Sequence, residues 1–274
     1  MMTHFPSYDD LYNLYNFPNC NLPQLVREKL DNVSQKSYSE IYEPVIGQDI
    51  SLQESLEDIL KAVRYNANSL YHIQYVWMAL ILTLVVKNTV EFYQPNNPTP
   101  GKIIQKMESW LLTSVEAGIN PEAVFKQAVH PDEIEFSIDF DVNLAPALGS
   151  FQAWYEASNV FENALKTLDP NLALDALLEI LEDCLEGYAI FPGSAGRRDL
   201  LNWWLFDVVP AAWCLRAPTS MYLVEGVQVE NEVDVEALQL RQLKRLQDIC
   251  SHMRSIIQQA IENQIELDSI TIRF

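Results

Sequence analysis

Residues 75–86 read YVWMALILTLVV, a run with no charged side chain. A helix that is apolar on every side either crosses a membrane or lies innermost in a folded core. A crossing needs about 20 apolar residues, whereas runs of 10–14 are usually buried core helices. Extending this run towards its N-terminus brings in His72, Gln74 and Asn68. The stretch therefore reads as the central helix of a helical protein, and no membrane is expected as a partner.

Working outward, Ser51-Leu52-Gln53-Glu54 has the spacing of a capping box, a Ser that accepts from the third backbone N–H and a Glu that reaches back. It predicts a helix from residue 52 to about residue 93, broken near residues 66–68. The loop QPNNPTPG at 94–101 stops it. Further helices are expected over 22–35, 102–117 with Gly118 as the residue just past the end, 122–129 opened by Asn120-Pro121, and 151–168. Three more follow over 171–186 closed by Gly187, 197–216 with a kink or break at Pro210, and 235–263. The last of these places Leu238, Leu243, Leu246, Ile249, Met253, Ile256 and Ala260 on one side. Against this pattern, IEFSIDFDV at 134–142 alternates apolar and polar residues, the period of a half-buried strand. Residues 222–229 and 270–274 are weaker strand candidates. The expected fold is mostly α, a bundle-like array of about eight helices with a minor β element. It is read as one domain over 1–274, with a soft division near 131–150.

The composition sets limits on function. Among 274 residues, 49% hydrophobic and 20% charged excludes a disordered chain. Eighteen Lys and Arg against 38 Asp and Glu give a formal charge of −20, which argues against nucleic acid, since phosphate backbones are held by basic clusters. The acid is concentrated: between Asp132 and Glu186 the only basic residue is Lys166. Such a zone attracts basic partners. Four cysteines, Cys20, Cys184, Cys214 and Cys250, lie far apart in or near apolar segments. They read as free buried thiols in a reducing compartment. MMTHFPSYDD at 1–10 has no signal-peptide character, so the expected location is cytoplasmic.

Few residue patterns suggest chemistry. GYAIFPGSAGRRD at 187–199 holds a pair of adjacent arginines, at what reads as a helix start. Ser194, Gly196, Arg197 and Arg198 are the anion-binding candidates, because exposed N–H groups and the helix dipole favour an anion there. The patch has neither P-loop spacing nor the nucleophile-elbow pattern. The bland alternative is a connecting loop whose arginines pair with Glu182, Asp183 or Glu186. Trp154, Trp203, Trp204 and Trp213 are candidates for an aromatic pocket or an interface, and the first two of the 203–213 helix point about 100° apart, so one should be less buried.

Asp175, Glu179, Glu182, Asp183 and Glu186 share a helix face, but no histidine follows an acid by three, so the di-metal carboxylate pattern is missing. Asp139, Asp141 and Asn143 begin like a calcium loop, which fails at Leu144 where glycine is required. Asp9-Asp10 resembles half of the magnesium-holding pair of terpene cyclases, without the further acid or the companion motif. No metal, cofactor or catalytic residue is assigned. The expected function is a non-enzymatic acidic binding protein, of inhibitor, immunity or adaptor type, for a basic protein partner. Its contact residues would be Asp132, Glu133, Glu135, Asp139, Asp141, Glu179, Glu182, Asp183 and Glu186. A homodimer is the self-association expected. The alternative is an anion- or small-molecule-binding protein, or an enzyme, centred on 193–198 and the tryptophan helix.

Overall fold

The computed structural model describes residues 6–16, 21–45, 50–119, 148–190, 193–222 and 235–271. Helix α4 (Tyr71–Tyr93) is the core element, with every position from Tyr71 to Val86 buried. It is the one helix among the described residues long and apolar enough to cross a membrane, and 94% of its apolar window is buried inside the protein. Burying all sides needs neighbours all round. These are α5 (Thr99–Ile119), α6 (Leu148–Lys166), α7 (Ala173–Leu185) and α9 (Val209–Trp213). The core they enclose is continuous from Leu11 to Ile257. Polar groups on α4 find fixed acceptors: Trp77 Nε1 donates to the Arg216 carbonyl (2.8 Å) and Tyr75 Oη to the Leu60 carbonyl (2.6 Å). Mostly α is thus the observed class, and there is no strand among the described residues.

The first half of the chain follows its local signals. Helices α1 (Tyr8–Asn16), α2 (Gln24–Ser34) and α3 (Leu52–Asn66) lead into α4, with a short 3-10 turn at Ser39–Ile41. The Ser51 side chain accepts from Glu54 N (3.3 Å), as the capping box requires, and Glu40 takes the free N–H of Leu52 (2.8 Å). The expected break falls in place: α3 ends at Asn66, Asn68 turns left-handed at φ 51°, and a 3-10 turn at Asn68–Leu70 starts α4.

Several expectations are corrected. Gly118 does not end α5, which runs through to Ile119. A Cβ at Gly118 would lie 2.4 Å from the Pro6 carbonyl oxygen, so the glycine serves the close approach of the N-terminal segment. The helix expected from residue 171 does not start there, because Asp169 engages Asn171 instead. Asp169 Oδ1 accepts from Asn171 N (2.9 Å) in a local turn, and α7 starts at Ala173. Pro210 neither breaks nor ends its helix. Helix α8 (Gly193–Trp203) continues through a π-helical stretch, Trp204–Val208, into α9. The wider turn accommodates a residue with no N–H and a ring that would clash with the preceding turn.

Helix α10 (Val235–Thr271) is longer than its periodicity suggested and takes up residues 270–271, where a strand was expected. Its core side buries Leu246, Ile249 and Met253 as expected, against α5 and α1. The strand expected at 134–142 and the helix at 122–129 lie outside the described residues, as does 222–229 apart from Tyr222. Cys184 and Cys250 are buried free thiols, the latter pushed up to about 12 by burial. Cys214 is disulfide-bonded, which corrects the free thiol expected there.

Candidate functional site: an acidic cleft closed by two tyrosines

Where α6 and α7 lie side by side, their carboxylates face one another. Gln152 and Glu156 of α6, Glu182 and Asp183 of α7, and Glu186, Gly187 and Tyr188 just after α7 line a cleft of about 370 Å³, with Tyr42 on its lip. No Lys or Arg is among the lining residues. Glu156 fixes the end of α7: its Oε2 accepts from Tyr188 N, and a Cβ at Gly187 would stand 2.4 Å from that same oxygen. The same Cβ would also stand 2.7 Å from the Asp183 carbonyl oxygen, a backbone atom that cannot swing away as the Glu156 carboxylate can, so glycine suits this position.

Crowding these acids raises their affinity for protons. Burial, then Glu156, Glu182 and Glu179, pushes the Asp183 carboxyl up to about 7. Burial, then Glu182 and Glu40, pushes Glu186 up to about 7, against the lowering pull of Arg197. Near neutral pH the cleft therefore holds negative charge that the fold leaves poorly compensated. Among the described residues no three His, Cys, Asp or Glu side chains are grouped so as to hold a metal ion, so the carboxylates form a field and not a ligand set.

Behind the lining residues Tyr42 and Tyr188, and not itself lining the cleft, lies Arg197, 1% exposed. Helix α8 begins at Gly193, so Arg197 and Arg198 stand a full turn inside it and not at its N-terminus as expected. The Arg197 guanidinium donates through Nη1 to the Leu185 carbonyl and through Nη2 to the Gly187 carbonyl (2.7 Å), acceptors left over at the end of α7. It lies between the rings of Tyr42 (4.9 Å) and Tyr188 (5.4 Å), whose phenols hydrogen-bond each other. Tyr42 has φ 64°, a conformation costly for a tyrosine, and its ring is over half exposed. Arg198 pairs with Glu43 through Nε (2.6 Å) and Nη2, and donates to the Lys36 carbonyl (2.7 Å). This pairing holds Glu43 below the usual carboxylate range.

The bland alternative for the two arginines thus named the wrong acceptors: they are helix-end carbonyls and Glu43, not Glu182, Asp183 or Glu186. The Gly196 carbonyl accepts from Tyr222 Oη (3.0 Å), and Ser194 lies in the first turn of α8. The tryptophans serve different places. Trp204 is fully buried and Trp154 nearly so, whereas Trp203 is half-buried and donates to the Ser220 carbonyl (3.0 Å). The unequal burial of the adjacent pair is as its 100° offset requires. Trp213 borders a second, smaller cavity of about 190 Å³ with Asp10, Asn68 and Gln74.

Of the acidic candidates, Glu182, Asp183 and Glu186 meet in the cleft, and Glu179 is exposed beside them on α7. Asp132, Glu133, Glu135, Asp139 and Asp141 lie outside the described residues. Sequence reasoning missed Glu156, Gln152, Tyr42 and Tyr188, which become neighbours of the α7 stripe only through tertiary packing. No protein-family model, curated protein or solved structure matches the chain.

Proposed function

We propose that the protein is a non-enzymatic binding protein that takes a basic partner protein through the α6–α7 cleft. The observation that carries this reading is the convergence of Glu156, Glu182, Asp183 and Glu186 on one cleft with no lining cation. A Lys or Arg side chain entering it would restore the full charge of Asp183 and Glu186 and lose little, because the surrounding acids supply the compensation that the fold does not. Nη1 and Nη2 of Arg197 and the Arg198 guanidinium are held by internal acceptors, which weighs against the alternative centred on 193–198. A cytoplasmic location belongs to the same proposal. The buried thiols of Cys184 and Cys250 suit a reducing compartment, and the bonded Cys214 is the feature that pulls against it.

Immobilised protein is expected to retain a basic protein from native lysate at low salt and to release it as ionic strength rises, because the screening length shrinks from about 10 Å at 0.1 M to about 3 Å at 1 M. Retention that ignores salt, or no basic partner even at low salt, would count against the proposal.

A further inference from the structure

We infer that the cleft and an exposed aromatic pair beside it form one docking surface, shaped for a basic protein segment that carries an apolar side chain within a helical turn of its Lys or Arg. The inference rests on the reading of the cleft proposed above and adds what else the partner must present.

Helix α6 carries two parallel rows. Gln152 and Glu156 line the cleft, Gln152 Nε2 donating to Glu156 Oε1 (2.8 Å). One position earlier in each case stand Phe151 and Tyr155, 37% and 54% exposed, with their rings stacked at 6.2 Å and 16°. Positions four apart share a face and neighbouring rows are about 100° apart, so the aromatic row runs along the edge of the acidic one. Phe151 also leans on the nearly buried Trp154 (5.7 Å), which anchors the pair to the core side of the helix. Two stacked rings held partly in water are the kind of rigid apolar contact that interfaces use as anchors.

Charge complementarity chooses the occupant. Any chain laid across the pair passes beside Glu156 and Glu182, where an acidic or neutral segment gains nothing and a Lys or Arg gains a carboxylate. An amphipathic basic helix, with apolar and cationic side chains one turn apart, meets both rows at once.

The test uses the full chain and three alanine-rich helical peptides of equal length: one with arginines alone, one with the same arginines and a leucine one turn away, and one with the leucine alone. At low salt the mixed peptide should bind about tenfold more tightly than the arginine peptide of equal charge. Changing Phe151→Ser and Tyr155→Ser together should erase that advantage and leave the arginine peptide's affinity unchanged. Tyr155→Ser alone, at the more exposed ring, should remove part of it, and thermal melts of both variants confirm the fold. Equal affinity of the two arginine peptides would overturn the docking surface and leave the acidic cleft standing, whereas a leucine peptide that binds as well as the mixed one would overturn both, since the carboxylates would then add nothing. Failure of every arginine peptide to bind would remove the cleft reading and this inference with it.

Discussion

Replacing Arg197 with alanine is expected to destabilise the protein by about 3–5 kcal/mol, near the top of the range for a single substitution. The side chain is almost fully buried, and its two terminal nitrogens satisfy carbonyls at the end of α7. Truncation would leave those acceptors without a donor and open a hole between Tyr42 and Tyr188. It would also remove the one cation that lowers Glu186. Arg197→Lys should recover only part of the loss, since an ammonium reaches one carbonyl and lacks the planar fork that lies between two rings. Urea unfolding followed by circular dichroism measures both variants. A change in the alanine variant below about 1 kcal/mol would show that the guanidinium does not hold α7, α8 and the Tyr42 turn together.

Stability is expected to fall as pH rises from about 4 to 8, the reverse of ordinary acid denaturation. The sign follows from the direction of the shifts. Asp183 and Glu186 bind protons more tightly in the folded protein, each pushed up to about 7, than carboxyls do in an unfolded chain. Their contribution is therefore complete below about pH 4 and is lost as pH climbs through the folded values. Both side chains keep contact with water, so the pair together is worth about 2 kcal/mol, well below a full conversion of the shifts. The groups facing them are Glu156 on α6, Glu179 and Glu182 on α7, Glu40 before α3, and Arg197 on α8. Asp183→Asn should raise the melting temperature at pH 8, leave it nearly unchanged at pH 5, and flatten the slope between. An identical slope in wild type and variant would mean that Asp183 ionises like an exposed carboxyl.

What could be read from the chain was whatever local chemistry decides. Ser51 with Glu54 marks a helix start, and YVWMALILTLVV has no polar side to turn outward, so it can only lie inside. The acid stripe of α7 was equally visible, because spacing alone places Glu182, Asp183 and Glu186 together. Glu156 and Tyr42 were not visible. One joins the cleft because α6 packs beside α7, the other because a left-handed turn far earlier in the chain carries its ring onto Arg197. Gly118 and Gly187 looked like helix stops, yet each also permits a close approach by a distant segment, Pro6 in one case and Glu156 in the other. Arg197 looked like a ligand group because its acceptors are backbone carbonyls, which carry no residue identity and appear only once α7 ends beside α8.

The most direct test of the acidic cleft compares wild type with a variant carrying Glu182→Gln, Asp183→Asn and Glu186→Gln as paired baits in the same native lysate at low salt. The account predicts that a basic protein is held by wild type and lost from the variant, whose fold survives because neutral amides remove repulsion. The same basic protein recovered equally from both baits would contradict it.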